Sequence, residues 1–307
     1  MPNILITGGA GNVGGSLARR LVLNSENRVT IVDNLATGSI SKLPPRENVN
    51  WTFIKADVND FRDISPIFTS NKFDYVFHYA AVVGVRRTLD NPVQVLKDIG
   101  GIENILSLSK NTGVKKVFFS SSSEVYGEPV EIPQHEDTTP LNSRLPYAIV
   151  KNVGEAYLKS YWQEYRLPYT IFRFFNTYGP MQSTDFVISK FIDLAKRGHD
   201  LTVYGDGSQT RTFCFIEDNL DVTERILDDS LCNNEVINIG SNLEITILEL
   251  AELIIKLTGS SSKIKLLPPL KDGDMKRRKP DNSKMLNILG RDLISLEEGI
   301  LRTMGGS

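Results

Sequence analysis

The chain has 307 residues, 40% of them hydrophobic and 23% charged, with 35 Lys and Arg against 37 Asp and Glu. A formal net charge of -2 supplies no field that would hold a nucleic-acid backbone or an anionic membrane, and no basic patch of convincing size makes up for it. Cys214 and Cys232 are too few for a disulfide framework, and His78, His135 and His199 are too scattered for metal-ligand spacing, so neither a stapled secreted fold nor a metal site is expected.

Taken in chain order, short β-branched and aromatic runs predict strands near 3-7, 28-33, 51-55, 73-77, 115-120 and 169-174. Amphipathic segments between them predict helices near 12-24, 60-69, 92-111 and 145-165. Regular alternation of this kind specifies an α/β fold, a Rossmann-type doubly wound parallel sheet with helices on both faces. Beyond about residue 178 the pattern loosens into helices near 185-197, 217-228 and 246-257 and strands near 201-204 and 235-238, a smaller mixed C-terminal lobe. The division expected is a dinucleotide-binding domain over 1-175, to which some later segments return, and a substrate-binding lobe over 176-304. The charged stretch 271-280 reads by itself as a solvated loop, and the last three residues as a frayed tail. No apolar run approaches the roughly 18 residues needed to span a bilayer, and no basic leader precedes the first strand, so a cytoplasmic protein is expected.

Directly after the first strand comes Thr7-Gly8-Gly9-Ala10-Gly11-Asn12-Val13-Gly14. Glycines there permit a tight turn and close approach of backbone to a pyrophosphate, while the following helix offers free N–H groups and a partial positive charge. Asp33, at the end of the second strand and followed by Asn34, is placed to accept both hydroxyls of an adenosine ribose and to repel a 2'-phosphate, which favours NAD over NADP. Asp57, followed by Val58, is placed to bind the adenine amine, though an Asp after a strand equally serves as a turn or cap. Further along, Ser120-Ser121-Ser122-Ser123-Glu124 follows a hydrophobic strand, and Tyr147 and Lys151 share one face of a helix. An ammonium beside a phenol, with a nicotinamide cation near, would move the phenol toward physiological pH and make it a base, with Ser122 bonding the same substrate oxygen.

Together these motifs resemble the extended short-chain dehydrogenase/reductase family, in particular its nucleotide-sugar epimerases, dehydratases and decarboxylases, over nearly the whole chain. The likeness includes His78-Tyr79-Ala80-Ala81, where Tyr79, Ala80 and Ala81 would touch the cofactor, and the runs 173-180, 201-211 and 278-281. It implies that Asn176 and Arg211 meet a nucleotide diphosphate, that Tyr204 lies beside the base, that Val187 shapes the pocket, and that Arg278 clamps diphosphate or sugar. It also implies a homodimer built on the helices near 92-111 and 145-165. Asp98 departs from the pattern, since the family shows Asn there, ordering the active-site helix; Asp98→Asn is expected to keep activity within a few-fold.

The resemblance further implies that Tyr147 removes the proton of a sugar 4-hydroxyl as hydride leaves C4 for NAD, and that the 4-keto sugar is a branch point. C4 epimerisation of a UDP-hexose needs no further acid or base and is the leading expectation. The alternatives are decarboxylation of UDP-glucuronate, and 4,6-dehydration of a nucleotide hexose with Glu124 as the C5 base. Glu124 favours these alternatives, whereas the Ala148-Ile149-Val150 interior of the Tyr/Lys motif and the lack of an Arg in Met181-Gln182-Ser183-Thr184 oppose decarboxylation. A hexuronate would have to rely on Ser123 and Arg278. A non-catalytic NAD-sensing protein is the remote alternative, opposed by the intact Tyr147/Lys151 pair.

Overall fold

The computed structural model describes residues 1-269 and 277-305. Strands β1 (Asn3–Thr7), β2 (Arg28–Asp33), β3 (Trp51–Lys55), β4 (Tyr75–His78), β5 (Lys116–Ser122) and β6 (Tyr169–Phe174) alternate with helices α1 (Asn12–Leu21), α2 (Phe61–Ser70), α3 (Val85–Asp90), α4 (Pro92–Leu96), α5 (Asp98–Thr112) and α6 (Pro146–Tyr165). Then follow β7 (Thr177–Tyr178), α7 (Val187–Lys196), β8 (Leu201–Tyr204), β9 (Thr210–Thr212), β10 (Cys214–Phe215), α8 (Ile216–Asp228) and β11 (Glu235–Ile239). The chain closes with β12 (Glu244–Thr246), α9 (Ile247–Thr258), β13 (Ile264–Leu267), α10 (Ser283–Leu289) and α11 (Leu296–Gly305).

Seven strands form one sheet in the order β11-β6-β5-β4-β1-β2-β3, every pair parallel. Strand alternation explains why both faces are apolar. Ile4 and Ile6 join Leu17, Leu21 and Ile226 of α1 and α8 on one side, whereas Leu5 joins Ile64, Ile105 and Leu158 of α2, α5 and α6 on the other. A row of stacked rings crosses the sheet through Phe77, Phe118 and Phe172, the first two with centroids 4.3 Å apart. Helix α6 lies unusually close to β5, because a Cβ at Gly154 would stand 2.4 Å from the Phe119 ring. The remaining pairings, β8 with β13, β9 with β12 and β7 with β10, mix parallel and antiparallel in the smaller C-terminal part.

Strand order reverses on either side of β1, so the carboxyl ends of β1 and β4 diverge and leave a crevice, the usual place for a ligand in an open α/β sheet. The structure differs from the expected elements in several places. The helix expected over 92-111 is two, α4 and α5, joined at Lys97. Helix α1 ends at Leu21, short of 24, and α3, α10 and α11 occupy stretches for which no helix was expected. Residues 271-276 of the charged loop, and the final two residues, lie outside the described residues; from Arg277 onward the loop is described, and there Arg278 is buried, contrary to the solvated reading. Among the described residues no helix is long and apolar enough to cross a membrane.

Candidate active site

A single cavity of about 640 Å³ runs along the crevice. Gly8, Gly11, Asn12, Val13, Gly14, Asp33, Asn34, Asp57, Val58, Tyr79, Ala80 and Ala81 line it, as do Ser122, Ser123, Glu124, Tyr147 and Lys151. So do Asn176, Val187 and Arg278, whereas Tyr204 and Arg211 do not. Tyr204 is instead partly exposed at the end of β8, and the Arg211 guanidinium donates to the Thr210 carbonyl at 2.7 Å in β9, whose end is tied to the cavity through the Asn176 amide on the Thr212 carbonyl at 2.8 Å.

The glycine turn fits a pyrophosphate. Gly8 has φ of +70°, and a Cβ at Gly14 would stand 2.4 Å from the Gly8 carbonyl oxygen, so neither position accepts a larger residue without displacing backbone. Helix α1 starts after Gly11 with no side-chain cap and no acidic residue in its first turn, which leaves its N–H groups and partial positive charge to an anion. Asp33 is held in place by the N–H groups of Ala10 (3.0 Å) and Leu35 (2.8 Å), one on each carboxylate oxygen, and each oxygen retains a further lone pair for a ribose hydroxyl. Asn34 reaches Asp57 through its amide at 3.2 Å, tying together the two loops that flank an adenosine. These features suit NAD.

At the other end of the cavity, β5 delivers Ser122, the 3-10 turn Ser123–Tyr126 delivers Glu124, and α6 delivers Tyr147 and Lys151 one helical turn apart. Lys151 is 2% exposed; its ammonium donates to the Ser120 hydroxyl at 3.4 Å and stands 5.8 Å from the centre of the Tyr147 ring. Burial lowers the Lys151 ammonium to about 8, with the charge of Asp98 acting in the opposite sense. Tyr147 departs from expectation. Burial, then the negative charge of Glu124, push its phenol above the ordinary value, and the Ser122 hydroxyl and Arg278 offset only part of this. The lysine alone therefore does not make the phenol acidic, because desolvation of the phenolate outweighs the ammonium across the ring.

Arg278 and Glu124 form an ion pair of 2.7 Å, the arginine side chain 7% and the glutamate 20% exposed. The second carboxylate oxygen of Glu124 is buried and has no hydrogen-bond partner. Sequence reasoning had treated these residues separately. Asp98, Asn59, Arg87 and Gln182 also line the cavity, each brought there by tertiary packing and without a motif of its own. Asp98 is 9% exposed and accepts from the Val82 N–H at 2.7 Å and the Asn59 amide at 3.3 Å, so a carboxylate occupies the place where the resemblance expects a neutral amide.

Comparison with known proteins agrees with this layout. The family model for the NAD dependent epimerase/dehydratase family matches residues 4-240. The chain is 38% identical to UDP-N-acetyl-alpha-D-glucosaminuronate decarboxylase of Bacillus cytotoxicus, covering 98% of this chain and 96% of that protein. It is 35% identical to UDP-glucuronic acid decarboxylase 6 of Arabidopsis thaliana, covering 97% and 86% respectively. Among solved structures, UDP-glucose 4-epimerase of Thermotoga maritima with UDP-glucose superposes with a TM-score of 0.92 at 33% identity, over 99% of this chain and 98% of that one.

Proposed function

The chain belongs to the NAD dependent epimerase/dehydratase family, and from that premise we propose that it converts a UDP-hexuronate to the corresponding pentose nucleotide by oxidation at C4, loss of CO2 and reduction at C4. The observation that carries this reading is the Glu124–Arg278 pair beside Tyr147, with one buried carboxylate oxygen unpartnered. A buried polar atom without a partner costs on the order of 1–3 kcal/mol, which a merely structural carboxylate would avoid by bonding both oxygens. Simple C4 epimerisation, the leading expectation from sequence, needs no further acid or base and so gives Glu124 no chemical task. A hexuronate was expected to depend on Ser123 and Arg278, and both line the cavity next to the reacting pair. The two decarboxylases at 35% and 38% identity support the same choice.

NAD, held by the glycine turn and Asp33, would supply reversible hydride exchange at C4. The protein supplies the rest. Tyr147 holds the proton of the 4-hydroxyl, releases O4 as a ketone and gives the proton back at the end; Ser122 bonds O4, and Lys151 supports the phenolate. Arg278 and Ser123 bind the C6 carboxylate, which is β to the new ketone, so its C5–C6 bond electrons pass into the C4–C5 enolate as CO2 departs. Glu124, with its free oxygen, holds the proton or the water that then closes C5. The nucleoside diphosphate is taken by the part of the chain after residue 176, where Asn176 and Val187 enter the cavity. A homodimer through α4, α5 and α6 and a cytoplasmic location belong to the same reading, the first checked by sedimentation.

A second reading, C4 epimerisation of a UDP-hexose, is favoured by Gln182, whose side chain bonds the Thr177 carbonyl at 2.8 Å where a carboxylate-binding arginine would serve a uronate. One experiment separates them. The protein with NAD is incubated in turn with UDP-glucuronate, UDP-N-acetylglucosaminuronate, UDP-glucose, UDP-N-acetylglucosamine, GDP-mannose and dTDP-glucose, and product masses are compared. Loss of CO2 from a uronate is the expected result; an isomer of unchanged mass, or loss of water, replaces this reading. Glu124→Gln sharpens the test, since it cripples decarboxylation or dehydration and spares an epimerase.

A further inference from the structure

The ion pair of Glu124 and Arg278 joins two segments far apart in the chain, neither of them a strand of the large sheet. One side chain touches both segments. Asn238, on the edge strand β11, is fully buried and does not line the cavity. Its side-chain oxygen accepts from the Tyr126 hydroxyl at 2.7 Å, and its amide nitrogen donates to the carbonyls of Gln134 at 2.9 Å and Asp281 at 3.1 Å. Tyr126 ends the 3-10 turn that carries Glu124, two residues before it, and Asp281 stands three residues after Arg278.

The amide has a fixed orientation. The Tyr126 hydroxyl accepts from the Arg173 guanidinium at 2.8 Å, so its own proton goes to the Asn238 oxygen, while the two carbonyls can take only the N–H groups. A carboxylate of the same shape would set a bare oxygen against two carbonyl oxygens. The Arg278 segment has other bonds, from the Gln134 N–H to the Lys279 carbonyl at 2.8 Å, from the Asp281 N–H to the Gln134 carbonyl at 2.8 Å, and from the Asn282 amide to the Gly240 carbonyl at 2.9 Å. None of these three reaches the turn of Glu124, whereas the Asn238 bridge does. Carboxylate recognition by a guanidinium fork depends on geometry, so a backbone shift of about 1 Å beneath the arginine is felt at the ligand. We propose that Asn238 is a positioning residue: by bridging Tyr126 to Asp281 it sets Arg278 against Glu124, and thereby how tightly the site holds the C6 carboxylate of a uronate. The proposal deepens the function proposed above and rests on its assignment of Arg278.

The test is a binding cycle in the full chain with NAD, made in the Tyr147→Phe background so that ligand is not consumed, with the Kd of UDP-glucuronate and of UDP-glucose read by titration calorimetry. Asn238→Asp weakens UDP-glucuronate about tenfold, the size of one charge-assisted hydrogen bond, and leaves UDP-glucose within about twofold. Added to Arg278→Ala, the same substitution changes UDP-glucuronate binding by less than about twofold, because the group it acts through is gone. No loss, equal weakening of both ligands, or a loss that persists undiminished without Arg278 overturns the proposal. If Asn238→Asp fails to fold, Tyr126→Phe removes the hydroxyl at the other end of the bridge and is run through the same cycle, judged by the same outcomes. Failure of the underlying assignment looks different: Arg278→Ala by itself then brings no selective loss of UDP-glucuronate, and the reading of the arginine falls together with that of Asn238.

Discussion

Two clusters of buried polar groups adjoin β5 and α6 and are built on opposite terms. In one, the Arg173 guanidinium donates to both oxygens of Glu155, at 2.9 and 2.6 Å, and to the Tyr126 hydroxyl at 2.8 Å, while Tyr126 donates to Asn238 at 2.7 Å and Ser121 to Glu155 at 2.6 Å. Asn238 in turn accepts and donates across three segments, and its N–H goes to Glu136 at 2.9 Å. In the other, at the cavity, Glu124 keeps an unpartnered oxygen, and so does Asn12 in the glycine turn. A network whose members satisfy one another fixes geometry; a set with open valences is shaped for something that arrives. Both clusters share helix α6, which carries Glu155 as well as Tyr147 and Lys151.

That contrast is open to breakage from each side. Tyr147→Phe removes the proposed acid/base group from the open cluster: turnover of the accepted nucleotide sugar falls about 10²- to 10⁴-fold, while the melting temperature stays close to that of the parent. Glu155→Gln does the reverse, leaving Arg173 buried with half its pairing; unfolding free energy by urea titration drops by about 3–5 kcal/mol. If that variant is as stable as the parent, the closed network does not carry the load assigned to it.

A pH effect comes next. Buried His78 bonds Thr7 through Nδ1 at 2.8 Å and takes up a proton only near pH 3 when folded. The unfolded chain takes it up near its ordinary value of about 6.5. Between these limits the unfolded state binds more protons, so stability is fully present above the upper limit and is lost as pH falls, by on the order of 1.4 kcal/mol per pH unit. His78→Gln should flatten that part of the stability-versus-pH curve relative to the parent. Smallest is Ser122→Ala, which removes one hydrogen bond at the reacting oxygen and slows turnover about tenfold, measured as kcat.

The sheet was legible because each strand is a short apolar run ended by a turn, and all seven of its strands fall within two residues of the expected positions. The break at Lys97 was not, since no Gly or Pro stands between Pro92–Leu96 and Asp98–Thr112 to mark it until Asp98 is seen bonded to the Val82 N–H. In the site, the residues of the glycine turn and the Tyr147/Lys151 pair carry their chemistry in their spacing. Arg211 and Tyr204 followed from likeness alone, and the structure places them outside the cavity. The meeting of Arg278 with Glu124 joins positions far apart in the chain, a pairing that no local pattern encodes.

With the Phe119 ring at the spot a methyl on Gly154 would need, the helix bearing the reactive pair seats directly on the strand that supplies the serines. The stand-off between phenol and hydroxyl is thus machined by a missing carbon, about two turns from Tyr147 and one from Lys151. A spacer as thin as alanine at that contact would tilt the helix off its bed and spoil alignment of the pair without touching any reacting group.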